Sequence, residues 1–114
     1  MSYSQSDIVE FEFPLPNGQY KIHPAIIISN RDVLELEDIY ICVMLSTKEM
    51  NPEFIFEIQP KMLTYSSDKI SFAKCQLITR IRPKAITRRF GSLQPQYFKQ
   101  LLTKLNQSVF SFQC

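Results

Sequence analysis

One histidine and two adjacent hydroxyl side chains are the residues of this chain best suited to chemistry. His23 is the single histidine among 114 residues, and an imidazole with an ordinary pKa of roughly 6.5 can accept or donate a proton near neutral pH. Ser46 and Thr47 follow an apolar run, at the point where the chain turns polar, and each hydroxyl can donate or accept a hydrogen bond. The plainer alternatives are a histidine bonded to neighbouring backbone and a hydroxyl that satisfies a turn.

Positive charge is concentrated in one ten-residue stretch. The chain has 13 basic and 11 acidic residues, and a net charge of +2 does not by itself indicate a polyanion partner. Residues 80–89 contain no carboxylate. These basic residues could follow an RNA backbone with Phe90 stacking on a base, or they could form a solvated face with Phe90 in the core. They are Arg80, Arg82, Lys84, Arg88 and Arg89.

The cysteines predict neither a disulfide framework nor a zinc site. Cys42, Cys75 and Cys114 are odd in number and have no CxxC spacing. Cys42 lies inside an apolar run, so we expect it to pack in the core and not to be a reactive thiol. No metal site is expected.

The composition predicts one globular domain covering residues 1–114. The chain is 45% hydrophobic and 21% charged, which is close to the globular average, and two halves of this length would be too small to bury separate cores. No run approaches the roughly 20 apolar residues that span a bilayer, and the N-terminus lacks the features of a signal peptide. We therefore expect a cytoplasmic protein without a membrane partner.

Alternating and continuous apolar runs predict antiparallel strands over the first four-fifths of the chain. The loop at 14–18 contains two prolines and Asn-Gly, and residues 29–38 fit either a helical turn or an irregular loop. Several short strands at this spacing favour a barrel or a sandwich. Strands are expected at 7–13, 20–29, 39–45 and 54–58, the last ended or confined to an edge by Pro60, with two short ones near 70–72 and 76–82.

An amphipathic helix is predicted to begin at Pro95. A proline is favourable in the first turn of a helix, where its missing N–H is not needed. The apolar residues that follow recur at helical spacing, which indicates a helix packed on the sheet, with a partner-binding helix as the alternative. They are Phe98, Leu101, Leu102, Leu105 and Val109.

Three segments in order resemble the PemK/MazF/Kid family of bacterial toxin components. They are SDIVEFEFPLPNGQYKIHPAIIIS, the apolar run ending in Ser46-Thr47-Lys48, and SFAKCQLITRIRPKAITRRFGSL before a helix, and together they cover about residues 6–107. The resemblance implies a mainly β fold, an SH3-like antiparallel barrel with a C-terminal α-helix. It also implies a homodimer, a cognate antitoxin protein as partner and, in many members, an endoribonuclease that cuts single-stranded RNA without metal or cofactor.

The resemblance also implies site residues. His23 stands where many members carry an arginine before the proline, and Ile78 stands where they carry the arginine that precedes Thr79. Arg80 could supply the missing charge, although it leaves its strand on the face opposite Thr79. The expected catalytic set is His23, Ser46, Thr47, Thr79 and Arg80, and the expected RNA-binding set is Lys21, Lys48, Gln76, Arg82 and Lys84.

Three functions remain in competition from the sequence. The first is a toxin-like endoribonuclease with His23 as acid or base. The second, motivated by the two missing arginines, is a catalytically impaired barrel that binds an antitoxin-like peptide or nucleic acid. The third is a purely structural dimeric barrel. Cleavage of RNA would identify the endoribonuclease, and binding without cleavage would identify the impaired barrel. Neither binding nor cleavage would identify the structural barrel.

Overall fold

A computed structural model describes residues 2–113 as a single curved sheet with two helices. Three single turns of 3₁₀ helix, Pro52–Phe54, Pro60–Met62 and Pro83–Ala85, connect some of the strands. Within these residues no helix is long and apolar enough to cross a membrane. In chain order the main elements are β1 (Asp7–Pro14), β2 (Tyr20–Ile27), α1 (Arg31–Glu37), β3 (Tyr40–Ser46), β4 (Ile55–Ile58), β5 (Ser71–Ile81), β6 (Ile86–Ser92) and α2 (Pro95–Ser108).

All strand pairs are antiparallel, in the order β4-β5-β3-β2-β1-β6. The prediction of a mainly β fold with a C-terminal helix is therefore confirmed. The predicted closed barrel is not seen, because β4 and β6 stay as edges of an open sheet. Within residues 2–113, the chain after β4 and the chain after β6 are joined by an isolated antiparallel bridge between Leu63 and Leu93. Pro60 stands two residues after the end of the four-residue β4, and a proline cannot donate to a further ladder.

Apolar side chains cover both faces of the sheet. On one face, Ile8, Ile26 and Val43 form a cluster with Phe98 and Leu101 of α2, which confirms that this helix packs on the sheet. The second cluster, on the opposite face, is built from β1, β2, β3, β5 and β6, with Leu34 of α1 against it. Burial on both sides explains the continuous apolar runs of β2 and β3. The second cluster comprises Val9, Phe11, Ala25, Ile27, Tyr40, Cys42, Ile81 and Ile86.

Residues 29–38, which the sequence left open, form a short helix. The Asn30 side chain accepts a hydrogen bond from the Val33 amide at 3.3 Å, which satisfies one of the free amides of the first turn. Asp38 ends the helix with φ of 54°, a left-handed conformation that aspartate tolerates better than most residues.

One expectation about the last strands was wrong, and one strand was missed. The two short strands near 70–72 and 76–82 are one strand, β5, with a register break: Val43 pairs with Ile78, while the next residue, Met44, pairs with Lys74. Three residues, 75–77, thus bulge out of the β3–β5 ladder. In addition, β6 was not predicted, because exposed Thr87, Arg88 and Arg89 interrupt its apolar pattern at the edge of the sheet.

Candidate active site

His23 lies on β2 opposite Phe11 of β1. The centroid of its ring is 6.4 Å from that of Phe11 and 5.8 Å from that of Phe13, which it meets edge to face. Among residues 2–113 no hydrogen bond involves the imidazole. Partial burial lowers the pKa of His23, and the positive charge of Lys21 lowers it further. The imidazole is therefore neutral at pH 7, with a nitrogen free to accept a proton.

Cross-strand pairing places His23 on the same face as Thr79. Paired residues share a face of a sheet, and alternate residues of a strand return to it. Phe11 of β1 pairs with His23 of β2. Ile27 lies four residues after His23 on β2 and pairs with Cys42 of β3, which in turn pairs with Thr79 of β5. This face also carries the second cluster.

The same alternation separates Ser46 from Thr47. Ser46 lies two residues beyond Met44 and four beyond Cys42 on β3, so it shares the face of His23, whereas Thr47 follows the end of the strand and is exposed. The Ser46 hydroxyl accepts a hydrogen bond from the Lys48 amide at 3.0 Å. The hydroxyl proton remains available to a ligand.

The second cluster borders an open cavity of about 440 Å³, the basic pocket. Phe11 and Phe13, the two rings against His23, form part of its wall. Arg80 and Arg82 are exposed at its rim. The pocket thus brings cationic groups to the aromatic side of the histidine. The residues around it are Phe11, Glu12, Phe13, Pro14, Thr79, Arg80, Ile81, Arg82, Lys84 and Ala85.

The remaining expected RNA-binding residues lie outside the basic pocket. Lys21 is exposed opposite Phe13, close enough for its charge to act on His23. Lys48 is exposed after β3. Gln76 lies in the β5 bulge and lines a separate groove of about 720 Å³ near the end of α2.

Sequence reasoning found the histidine but not its two aromatic neighbours. Alternation places Phe11 and Phe13 on one face, yet their position relative to His23 depends on the β1–β2 register. That register is set by the connecting loop, in which Leu15 and Gln19 are joined by a 2.7 Å backbone hydrogen bond and Gly18 has φ of 85°. The Pro-Asn-Gly sequence signals a turn without fixing the pairing.

No cluster of three histidine, cysteine or acidic side chains within residues 2–113 could hold a metal ion. One face of the sheet carries the His23 imidazole and the Ser46 and Thr79 hydroxyls. The cations lie at the basic pocket, which Thr79 lines and His23 and Ser46 do not. Together they can remove a proton from an alcohol and stabilise a developing negative charge.

Cys42 should be inert toward alkylating reagents in the native protein. It is fully buried, which confirms its expected place in the core, and burial raises its pKa to about 12. At pH 8 only about one molecule in ten thousand then carries the reactive thiolate. Iodoacetamide labelling followed by peptide mass spectrometry should modify Cys42 in denaturant and not in buffer. Rapid native labelling would contradict the burial. Cys114 lies outside the described residues.

Comparison with known proteins identifies the family. A model of PemK-like, MazF-like toxins of type II toxin-antitoxin systems matches residues 4–109. A search of curated proteins found no match.

Three solved structures have a similar fold. A mycobacterial endoribonuclease in complex with its cognate antitoxin has a TM-score of 0.78 at 13% identity, covering 99% of this chain and 100% of that one. MazE-MazF from Deinococcus radiodurans has a TM-score of 0.76 at 9% identity, covering 98% of this chain and 100% of that one. The Mycobacterium tuberculosis toxin MazF-mt6 has a TM-score of 0.68 at 12% identity, covering 92% of this chain and 99% of that one. Since the family match spans every strand and the basic pocket, the chain belongs to the PemK-like, MazF-like toxins of type II toxin-antitoxin systems.

Proposed function

We propose that this protein is the toxin component of a toxin-antitoxin system and cuts single-stranded RNA without a metal ion. The observation that carries the proposal is the placement of His23, neutral at pH 7, against Phe13, a wall residue of the pocket that Arg80, Arg82 and Lys84 rim. RNA contains its own nucleophile, the 2′-hydroxyl, so cleavage needs a base and a site that stabilises the phosphorane.

In the proposed reaction His23 takes the proton of the 2′-hydroxyl. The 2′-oxygen then bonds to phosphorus, the bond from phosphorus to the 5′-oxygen breaks, and water protonates the departing oxygen. The products are a 2′,3′-cyclic phosphate and a 5′-hydroxyl. Thr79 and Ser46 donate hydrogen bonds to phosphate oxygens, and Thr47 is left with a contact outside the pocket.

Arg80 would supply positive charge in place of the arginine that the family carries where this chain has Ile78. It lines the basic pocket together with Thr79, its neighbour, although the two side chains leave opposite faces of β5. Arg82 and Lys84 would hold the backbone of the RNA, and Lys21, Lys48 and Gln76 would contact more distant nucleotides. Each phosphate contact makes binding more dependent on salt.

The partners proposed are a second copy of this chain and a cognate antitoxin. An acidic antitoxin segment would complement the basic pocket and exclude RNA from it. Two of the similar structures are an endoribonuclease in complex with its cognate antitoxin and MazE-MazF. We also propose that residues 1–114 form a single cytoplasmic domain, whose open sheet is a spread form of the SH3-like barrel.

Incubation of purified protein with long single-stranded RNA in EDTA from pH 5 to 8 tests the proposal. We expect fragments with cyclic phosphate ends that persist at high chelator concentration. Because the reaction uses only side chains of this chain, EDTA should leave the rate unchanged. Intact RNA at every pH would overturn the endoribonuclease proposal.

A binding module without catalysis is the second candidate. This candidate is favoured because His23 and Ile78 stand in place of two family arginines. Histidine carries little charge at pH 7. In that case RNA or an antitoxin peptide would bind in the basic pocket and no fragments would form.

A further inference from the structure

A second cavity, of about 250 Å³, lies on the opposite face of the sheet from the basic pocket. We name it the aromatic pocket. It opens where β2 and β3 separate: their ladder stops at the pair Ala25–Met44, and the next residue of each strand beyond it, Pro24 and Leu45, lines the cavity. His23 precedes Pro24, and Ser46 follows Leu45. The aromatic pocket therefore borders the gap between the strand segments that carry His23 and Ser46.

Two aromatic rings border the aromatic pocket in a fixed arrangement. Tyr65 and Phe90 stack with their centroids 6.3 Å apart and their planes 25° from parallel. The Arg88 guanidinium lies 4.5 Å from the centroid of Phe90. A Cβ atom at Gly91 would overlap Tyr65, so the glycine allows this ring to rest against the backbone. The rings are thus held in place before any ligand arrives.

The polar groups of the aromatic pocket have opposite charges. Glu10 is partly buried, and its carboxylate has no hydrogen bond or ion pair among residues 2–113, although Arg88 is its partner in the β1–β6 ladder. Lys69 is exposed at the other side of the opening. The carboxylate inside the cavity can accept a hydrogen bond from an amino group on an aromatic ring. The cations around the cavity can attract a phosphate linked to that ring.

We propose that the aromatic pocket binds one amino-bearing nucleobase of the RNA, adenine, cytosine or guanine. The base stacks on Tyr65 and Phe90, and Glu10 accepts a hydrogen bond from the amino group. Stacking platforms of this kind are general for single-stranded nucleic acids, and a carboxylate distinguishes bases that carry an amino group. The volume of the cavity is below the usual range for sites that hold drug-sized ligands, and this size suits a single base. This inference rests on the proposed function, because it assigns a subsite to the same substrate.

The test measures binding to RNA that cannot be cleaved. Fluorescence anisotropy with 2′-O-methyl oligomers of adenine, cytosine or uracil gives a Kd that does not depend on catalysis. The parent should bind the adenine and cytosine oligomers more tightly than the uracil oligomer. Glu10→Gln should reduce this preference by about ten-fold, and Tyr65→Leu should weaken binding of all three oligomers by about ten-fold.

Glu35→Gln is the matched control for Glu10→Gln. Glu35 is an exposed carboxylate on α1, so its neutralisation changes the net charge equally. Removal of a negative charge by itself strengthens RNA binding, whereas the proposal requires Glu10→Gln to weaken binding of the adenine and cytosine oligomers. Equal slight tightening in both variants would overturn it.

Crosslinking gives a second, independent measurement. An oligomer containing one 5-iodocytidine, which keeps the amino group, among uracils should crosslink on irradiation to the peptides holding Tyr65 or Phe90. Crosslinks confined to the basic pocket, with unchanged affinity in Tyr65→Leu, would reject the subsite and leave the cavity for a side chain of a peptide partner. Failure of cleavage with these effects intact would reject only the proposed enzymatic function.

Discussion

Alanine in place of His23 should slow cleavage of single-stranded RNA by roughly 10²- to 10⁴-fold, the usual contribution of a positioned general base. The side chain is partly exposed at the edge of the second cluster and makes no hydrogen bond within residues 2–113, so the fold should be retained. Initial rates on a defined RNA, measured in EDTA with matched circular dichroism spectra, test this. Gln100→Ala, on the exposed side of α2, should cut at the parental rate.

The pH profile separates the two roles open to the histidine. Desolvation and Lys21 lower the pKa of His23 from 6.5, so the neutral form predominates at pH 7. If His23 is the base, the rate should be level above pH 6.5 and fall as the pH drops through the lowered pKa. His23→Ala should lose this acidic limb. A rate that rises toward pH 5 would indicate a general acid, and parental rates in the alanine variant would exclude both roles.

Leu101→Ala should destabilise the protein by about 3 kcal/mol, the usual cost of removing a fully buried leucine side chain. Leu101 has no exposed surface and lies in the cluster between α2 and the sheet. Its truncation leaves a cavity that the rigid strands cannot close. Urea unfolding followed by circular dichroism, at a fixed protein concentration, gives the change in the free energy of unfolding.

Leu102→Ala is the matched control in the same helix. Leu102 is only partly buried at the edge of this cluster, so the same chemical change should cost clearly less. Equal losses at the two positions would mean that burial against the sheet does not set the cost of the truncation. Helix propensity differs little between leucine and alanine, and alanine is the better helix former, so propensity alone would lower stability at neither position.

Local patterns were enough to predict the elements with strong periodicity. The stripe from Phe98 to Val109 and the proline at its start define α2, and the apolar runs around Ile26 and Val43 define two strands buried on both faces. β6 escaped because it is an edge strand: only Ile86 and Gly91 are buried in it, and its exposed arginines resemble a loop. Burial by neighbours distant in sequence is what makes it a strand.

The candidate site was predictable only in its chemistry. His23 stood out by residue type, yet the choice between Ser46 and Thr47 depended on strand phase, and the aromatic contacts of the histidine depended on hairpin register. The pairing of Cys42 with Thr79 depends on the three-residue bulge, which no local pattern reveals. Residue type could therefore suggest which groups react, while long-range pairing decides which groups meet.

The bulge in β5 also bears on how the length of this chain can vary in evolution. Ala73 is buried before it and Ile81 after it, so both ends of the strand are held in register by packing. Leu77, between them, is nearly half exposed. A residue gained or lost beside Leu77 is absorbed by the bulge, leaving Thr79 opposite Cys42. Homologues can thus differ in length here while keeping the same active-site geometry, and an ungapped alignment across this point would misplace the threonine.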